Sequence, residues 1–184
     1  WDFSYNMIKN AGREIKVLNL FAYTGGATLA AAAAGASVPH VDASKGMVGW
    51  AKENMISSNL SNAPIRWLVD DCIKFVQREI RRGNTYDAII MDPPSYGRGP
   101  KGEIWKIEDS IYDFIKLTTK LLSKDPLFFL INSYTTGLAP GVLTPLAIFV
   151  TYKASNDSAV FNLDQYREMM RRVLGLKIKR NITG

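Results

Sequence analysis

Short apolar runs alternate along the chain with longer segments whose apolar residues recur at helical spacing. The short runs predict buried strands and the longer segments predict amphipathic helices. The predicted strands cover 15–21, 38–41, 65–69, 86–91 and 127–131, and the predicted helices cover 2–12, 27–34, 44–57, 72–82 and 110–122. Because strands and helices alternate, the expected fold class is α/β: a doubly wound, mostly parallel sheet of the seven-strand type with helices on both faces.

The last part of the chain follows this pattern less well. Strands are predicted at 146–152 and 176–179 and a helix at 163–174, but Pro140 and Pro145 interrupt the helix expected before them. We therefore divide the chain into three parts. Residues 1–14 form an N-terminal helix that we expect to be the stump of a missing N-terminal part, 15–137 the core, and 138–184 the C-terminal part of the sheet.

Glycine and polar residues follow the first two predicted strands, at the edge where parallel sheets bind ligands. They are Tyr23, Thr24, Gly25 and Gly26 after the first strand, and Asp42 and Ser44 after the second. A glycine turn lets a ligand approach the backbone, and a carboxylate at the second position can accept hydrogen bonds from ribose hydroxyls. The alternatives are a tight turn and a helix cap; Ser44 is also the predicted N-cap of the helix that follows.

Acidic residues also follow the third and fourth predicted strands. After the third strand, Asp71 can accept a hydrogen bond from an adenine amino group beside Cys72, or it can cap the next helix. The fourth strand leads directly into Asp92, Pro93 and Pro94. Prolines lack an N–H and stiffen the backbone, so their carbonyl groups can accept hydrogen bonds from a base. The alternative there is a stiff turn.

Several further residues are candidates for contact with a substrate. Tyr96 follows the two prolines and can stack on a base. The loop 97–106 is basic and rich in glycine; its candidates are Arg98 and Lys101 for phosphates and Trp105 for a base, unless the loop is solvated and Trp105 lies in the core. Asn132, at the end of the fifth strand, is counted with them, whereas His40 is expected to serve packing.

Composition narrows the partners of the protein. The 184 residues carry a net charge of +6, which permits an acidic partner such as RNA without requiring one. The single cysteine excludes an internal disulfide and fits a reducing, cytoplasmic location. With one histidine and one cysteine, no metal site is expected. No apolar stretch is long enough to cross a membrane, and the oligomeric state is left open.

The glycine turn also narrows the ligand. The chain has neither the Gly-x-Gly-x-x-Gly turn of dinucleotide sites nor a phosphate-binding loop ending in Gly-Lys-Ser/Thr. These absences favour a nucleoside ligand without a pyrophosphate, and S-adenosylmethionine meets that description.

The ordered motifs resemble those of class I S-adenosylmethionine-dependent methyltransferases, with their Rossmann-like fold. The residues that carry the resemblance are Leu18-Asn19-Leu20-Phe21-Ala22-Tyr23-Thr24-Gly25-Gly26, Asp42, Asp70-Asp71 and Asp92-Pro93-Pro94-Ser95-Tyr96. More narrowly, they resemble bacterial 23S ribosomal RNA base methyltransferases, which include cytosine carbon-5 and guanine ring-nitrogen enzymes. The resemblance implies that the turn meets the methionine part, Asp42 the ribose, Asp71-Cys72 the adenine, and the segment 92–96 the methyl group and substrate.

One departure from that family points to the methylated atom. Methylation of a pyrimidine carbon needs a thiolate that first adds to the ring. The cytosine enzymes tend to carry a cysteine after the fifth strand, where this chain has Asn132 and Ser133. We therefore expect methyl transfer to a base nitrogen of RNA, and the resemblance implies that this RNA is ribosomal. The alternatives are a methyltransferase for a protein or small molecule, and a non-catalytic module that binds S-adenosylmethionine.

Overall fold

The computed structural model of the protein describes residues 1–98 and 104–132. Its strands are β1 (Val17–Leu20), β2 (Val38–Asp42), β3 (Ile65–Val69), β4 (Ala88–Met91), β5 (Tyr96–Arg98), β6 (Ile104–Lys106) and β7 (Phe128–Ile131). Its α-helices are α1 (Asp2–Lys9), α2 (Gly26–Ala33), α3 (Lys45–Ser57), α4 (Cys72–Arg81) and α5 (Ile107–Thr118), and a 3-10 turn at Thr119–Leu121 follows α5.

Five of these strands form one parallel sheet in the order β3-β2-β1-β4-β7. This arrangement confirms the predicted α/β class. The chain winds outward from β1 through β2 to β3, then returns to place β4 on the other side of β1. The elements predicted after residue 137, including both strands at 146–152 and 176–179, lie outside the described residues.

The middle of the sheet is covered on both faces. Every residue of β1 and of β4 is buried, as expected for central strands of a parallel sheet. One core cluster contains Leu18, Leu20, Phe75 and Met91, and a second contains Val17, Ala31, Ile90 and Phe128. The alanine-rich α2 belongs to the second cluster, because its small side chains let the helix lie close to the sheet.

The structure differs from the prediction mainly between 96 and 110. The segment predicted as a polar loop contains an antiparallel hairpin of β5 and β6, and α5 begins at Ile107 instead of 110. Strands of three residues carry almost no periodic signal, so cross-strand pairing decides them. Within the described ranges, every helix is too short or too polar to span a lipid bilayer.

Candidate active site

A cleft of about 620 Å³ opens at the carboxyl edge of the sheet, next to the paired strands β1 and β4. The direction of winding reverses between these two strands, which is where open α/β sheets bind ligands. The volume lies in the usual range for small-molecule and cofactor sites. The predicted residues that line this cleft are Tyr23, Asp42, Ser44, Asp71, Cys72, Asp92, Pro94 and Trp105. We call residues 21–26, 42–44 and 71–72 the donor side, and residues 92–94, 105 and 132 the acceptor side.

On the donor side, the carboxylate of Asp42 holds the turn that follows β1. One oxygen accepts a hydrogen bond from the backbone N–H of Tyr23 at 2.9 Å, and the other accepts from the N–H of Ser44 at 2.8 Å. Tyr23 has a φ of 49° and Phe21 a φ of 52°, a conformation that side chains other than glycine adopt at a cost. The carboxylate therefore stabilises a strained turn at the floor of the cleft. The hydroxyl of Ser44 caps α3 as predicted, accepting from Met47 N–H at 3.4 Å.

Gly25 lets this turn pack directly against α3. Its φ is 88°, and a Cβ at this position would lie 3.0 Å from the Cβ of Ala51. On the same side, the amide of Asn54 donates a hydrogen bond to the carbonyl oxygen of Thr24 at 2.9 Å. Thr24, Gly25 and Gly26 thus shape the turn, although the described lining of the cleft does not include them. Sequence reasoning missed Asn54, because a contact between a helix and a turn 30 residues away has no local signal.

His40 lies beneath the turn and serves packing, as predicted. It is fully buried, its Nδ1 is 2.9 Å from the hydroxyl of Thr28, and its ring packs on Trp67 at a centroid distance of 4.7 Å. Thr28 also accepts a hydrogen bond from the amide of Asn19 at 2.8 Å. Burial lowers the pKa of His40 to about 4, so the ring is neutral at physiological pH.

Asp71 and Cys72 close the donor side at the start of α4. Asp71 caps the helix by accepting a hydrogen bond from the N–H of Lys74 at 2.8 Å. Helix capping was one of the two roles predicted for this residue. The Cys72 thiol is buried; it accepts from the N–H of Phe21 at 3.3 Å and donates to the carbonyl of Val41 at 3.8 Å. Burial raises the pKa of this thiol. A buried, protonated thiol with two backbone partners is a poor nucleophile.

On the acceptor side, Asp92 is half-buried at the end of β4. The amide of Asn132, at the end of β7, donates a hydrogen bond to its carboxylate at 3.3 Å. Burial raises the pKa of Asp92, and the hydrogen bond from Asn132 opposes that rise. Asn132, which was predicted to contact the substrate, is not among the described lining residues of the cleft. Its contact in the structure is the hydrogen bond to Asp92.

Two contacts in the structure bear on the expectations for the segment after Asp92. The carbonyl of Pro94, which was predicted to accept a hydrogen bond from a base, accepts one from the indole N–H of Trp105 at 2.6 Å. Trp105 was expected to stack on a base or to lie in the core, and the structure shows the core: it is 9% exposed and packs on Phe21 and Phe114 at centroid distances of 5.3 and 5.7 Å. Trp105 also lines the cleft, through the small part of its surface that stays exposed.

Two of the remaining candidates, Pro93 and Tyr96, are not among the described lining residues of the cleft. Pro93 is buried, and Tyr96 is on β5 with 51% of its surface exposed. Arg98 ends β5, and Lys101 lies outside the described residues. Sequence reasoning also missed the lining residues Phe21, Met47, Ile73, Ile104 and Ser110. Phe21 lies in the quoted motif two residues before Tyr23, and Ile73 directly follows Cys72, so both were within reach of the sequence. Ile104 and Ser110 are brought to the cleft by the unpredicted hairpin and by α5, which begins earlier than predicted.

The residues of the donor side fit S-adenosylmethionine. The carboxylate of Asp42 has lone pairs beyond its two backbone contacts, so it can also accept from ribose hydroxyls. Next to the donor side, Met47 and Ile73 supply apolar surface for an adenine ring. Within the turn, the close approach of Ala51 leaves no room for a side chain at Gly25.

Comparison with known proteins agrees with this fit. The sequence model of the S-adenosylmethionine-dependent methyltransferase family matches residues 4–139. The ribosomal RNA large subunit methyltransferase K/L of Shewanella oneidensis is 36% identical over 117 residues, which are 62% of this chain and 16% of that protein. The chain therefore spans only a small part of the curated relatives it matches.

Solved structures show the same fold. A crystal structure of the SAM-dependent methyltransferase from Agrobacterium tumefaciens has a TM-score of 0.74 and 40% identity, over 95% of this chain and 48% of that one. A putative methyltransferase complexed with SAH has a TM-score of 0.67 at 22% identity, over 97% of this chain and 40% of that one, and shows likeness of fold alone. The predicted family and its cofactor are confirmed: the chain belongs to the S-adenosylmethionine-dependent methyltransferase family.

Proposed function

We propose that the protein carrying this chain transfers a methyl group from S-adenosylmethionine to a base nitrogen of ribosomal RNA. The observation that carries the proposal is the half-buried carboxylate of Asp92, which shares one cleft with Asp42 and is held by Asn132. The name of the Shewanella oneidensis relative, a ribosomal RNA large subunit methyltransferase, supports RNA as the substrate class. The net charge of +6 suits such a polyanion.

The donor side would hold the cofactor, which supplies an electrophilic methyl group when it is bound. We assign the methionine part to the turn and the ribose to Asp42. We assign the adenine to the start of α4, where Asp71 and Cys72 lie beside Ile73. The predicted cofactor-binding set therefore stays as proposed: Tyr23, Thr24, Gly25, Gly26, Asp42, Ser44, Asp71 and Cys72. Thr24, Gly25 and Gly26 act through the shape of the turn.

The acceptor side would hold the base. The Asp92 carboxylate accepts a hydrogen bond from an N–H of the base and orients the nitrogen lone pair toward the methyl group. Such positioning alone can supply on the order of 7–11 kcal/mol of the barrier. Pro93 and Pro94 stiffen the segment behind Asp92, and Tyr96 and Arg98 on β5 are proposed contacts for the RNA beyond the base.

A nitrogen target is favoured over cytosine carbon 5 because the carbon reaction needs a thiolate. The only cysteine of the chain is Cys72, which is buried on the donor side with backbone partners for its sulfur. Its raised pKa keeps it protonated at neutral pH. Cys72 is therefore not placed to form the covalent adduct, whereas nitrogen methylation needs no adduct.

The test is transfer of a labelled methyl group from S-adenosylmethionine to total RNA by the full-length protein, followed by nucleoside analysis. We expect a methylated ring or exocyclic nitrogen, and a steep decrease of RNA affinity with salt. A 5-methylcytosine product would overturn the nitrogen assignment. Transfer only to proteins or small molecules would overturn the RNA assignment, and failure to bind the cofactor in calorimetry would leave a non-catalytic module.

Substitution of Asp92 tests the acceptor side separately. We expect Asp92→Ala to lower the rate of methyl transfer about 100-fold, the size of effect that misplacement by about 1 Å produces. The calorimetric Kd for S-adenosylmethionine should stay unchanged. Asp113→Ala is the matched control, because it removes an exposed carboxylate on α5. A full transfer rate in Asp92→Ala would refute the assignment.

An RNA substrate and the single cysteine are both consistent with a cytoplasmic location.

A further inference from the structure

We infer that Trp105 is a positioning residue for methyl transfer, acting through the hydrogen bond from its indole N–H to the carbonyl of Pro94. The inference rests on the proposed role of the segment 92–94 in holding the acceptor. Trp105 would not touch the acceptor; it would set the backbone that does.

The first observation is how the acceptor segment is anchored. At its start, the backbone N–H of Asp92 donates to the carbonyl of Leu20 at 3.3 Å, and Asn132 holds the side chain. Pro93 and Pro94 have no N–H to donate. The 2.6 Å bond from Trp105 to the carbonyl of Pro94 therefore anchors the far end of the segment.

The second observation is how firmly Trp105 itself is held. Its ring is 9% exposed and lies between Phe21, at a centroid distance of 5.3 Å, and Phe114, at 5.7 Å. In the hairpin it pairs with Gly97, where an added Cβ would lie 3.6 Å from Pro94 and 3.8 Å from Trp105. The hairpin therefore packs directly on the acceptor segment.

The third observation is that Trp105 contacts both sides of the cleft. Phe21 belongs to the donor side, where its N–H donates to the sulfur of Cys72, and Pro94 belongs to the acceptor side. The indole of Trp105 thus sets the distance between the strained donor turn and the acceptor segment. In-line transfer depends on that spacing, because near-attack geometry tolerates errors of only about 1 Å.

Trp105→Phe separates this role from simple packing. Phenylalanine keeps an aromatic ring between Phe21 and Phe114 but removes the indole N–H. Pro94 is exposed, so water can replace the lost donor and stability should change little. We expect kcat to fall about tenfold or more, while the calorimetric Kd for S-adenosylmethionine stays within about twofold of wild type.

Leu121→Ala is the matched control, since Leu121 is fully buried in the same core cluster as Trp105 and is not among the described lining residues of the cleft. We expect a lower Tm and a kcat within about twofold of wild type. A wild-type kcat in Trp105→Phe overturns the inference. Equal losses of kcat in both variants also overturn it, because packing alone would then explain the effect.

A measurement without substitution guards against poor folding of Trp105→Phe. The chain has four tryptophans, and the indole N–H of Trp105 should exchange slowly with deuterated solvent in nuclear magnetic resonance spectra. Four rapidly exchanging indoles would overturn the inference. Methylation of a protein or small molecule in place of RNA would overturn only the proposed substrate, because the same kcat comparison on that acceptor still decides the role of Trp105.

Discussion

The two sides of the cleft are built in different ways. On the donor side, a carboxylate and a cap bind nearby backbone N–H groups: Asp42 holds Tyr23 and Ser44 within one βαβ unit, and Asp71 caps its own helix. On the acceptor side, side-chain N–H groups of other elements donate the hydrogen bonds. Asn132 at the end of β7 donates to the carboxylate of Asp92, and Trp105 on β6 donates to the carbonyl of Pro94. The donor turn is therefore held mainly by carboxylates that accept from backbone N–H groups, and the acceptor segment by side chains that the packing of β6 and β7 brings to it.

The largest expected effect is on the donor side. Asp42→Ala removes the acceptor of two backbone N–H groups at once, each charge-assisted bond contributing about 1.5 kcal/mol at the low end of its range. We expect the Kd for S-adenosylmethionine, measured by calorimetry, to rise at least about 100-fold. Asp42→Asn is the control that keeps one oxygen acceptor, and it should lose less. An unchanged Kd in Asp42→Ala would show that the turn holds itself.

The next effect tests the buried network beneath the donor side. Because burial lowers the pKa of His40 from 6.5 to about 4, the unfolded state binds more protons between these values. The stability that the neutral ring provides is complete above pH 6.5 and is lost as the pH falls toward 4, by about 3 kcal/mol. We expect His40→Gln to remove this dependence. Urea unfolding at pH 7, 5 and 4 measures it, and a constant difference between wild type and variant contradicts it.

A smaller effect separates backbone strain from crowding in the donor turn. Gly25→Ala should cost about 1–2 kcal/mol for its left-handed backbone, together with a further cost from the 3.0 Å approach to Ala51. Gly35→Ala is the matched control, since its φ is 100° and a Cβ there meets nothing within 4 Å. We expect both variants to lower the Tm, but only Gly25→Ala to weaken cofactor binding, about tenfold. Equal Kd values would remove the argument from crowding.

The smallest effect concerns the acceptor side, where stability depends on pH in the direction opposite to that predicted for His40. Burial raises the pKa of Asp92, so the folded state loses stability as the pH rises through that pKa. Asp92→Asn should therefore increase the free energy of unfolding at pH 7, by less than the His40 effect, while methyl transfer falls. Chemical denaturation and steady-state kinetics measure the two changes, with the exposed Asp113→Asn as control. A less stable, fully active variant would contradict both the burial cost and the assigned role.

These contrasts explain which parts of the molecule could be predicted. The central strands β1 and β4 are continuous apolar runs because helices cover both faces of a parallel sheet, and such runs are visible in the sequence. The caps at Ser44 and Asp71 were visible because capping joins residues three apart. The hairpin of β5 and β6 was missed, since Tyr96–Arg98 and Ile104–Lys106 are too short to show a period. The core position of Trp105 could only be named as one of two alternatives.

The sequence by itself determined the parallel α/β sheet, the order of the motifs along it and the family to which the chain belongs. These features depend on short-range patterns: apolar runs, a glycine turn and single residues at strand ends. Only the tertiary structure decided that Asn132 donates a hydrogen bond to the carboxylate of Asp92 and that Trp105 donates one to the carbonyl of Pro94. The physical reason is that each of these hydrogen bonds joins the side chain of one element to another element, so it depends on how the elements pack, and no local pattern records that packing.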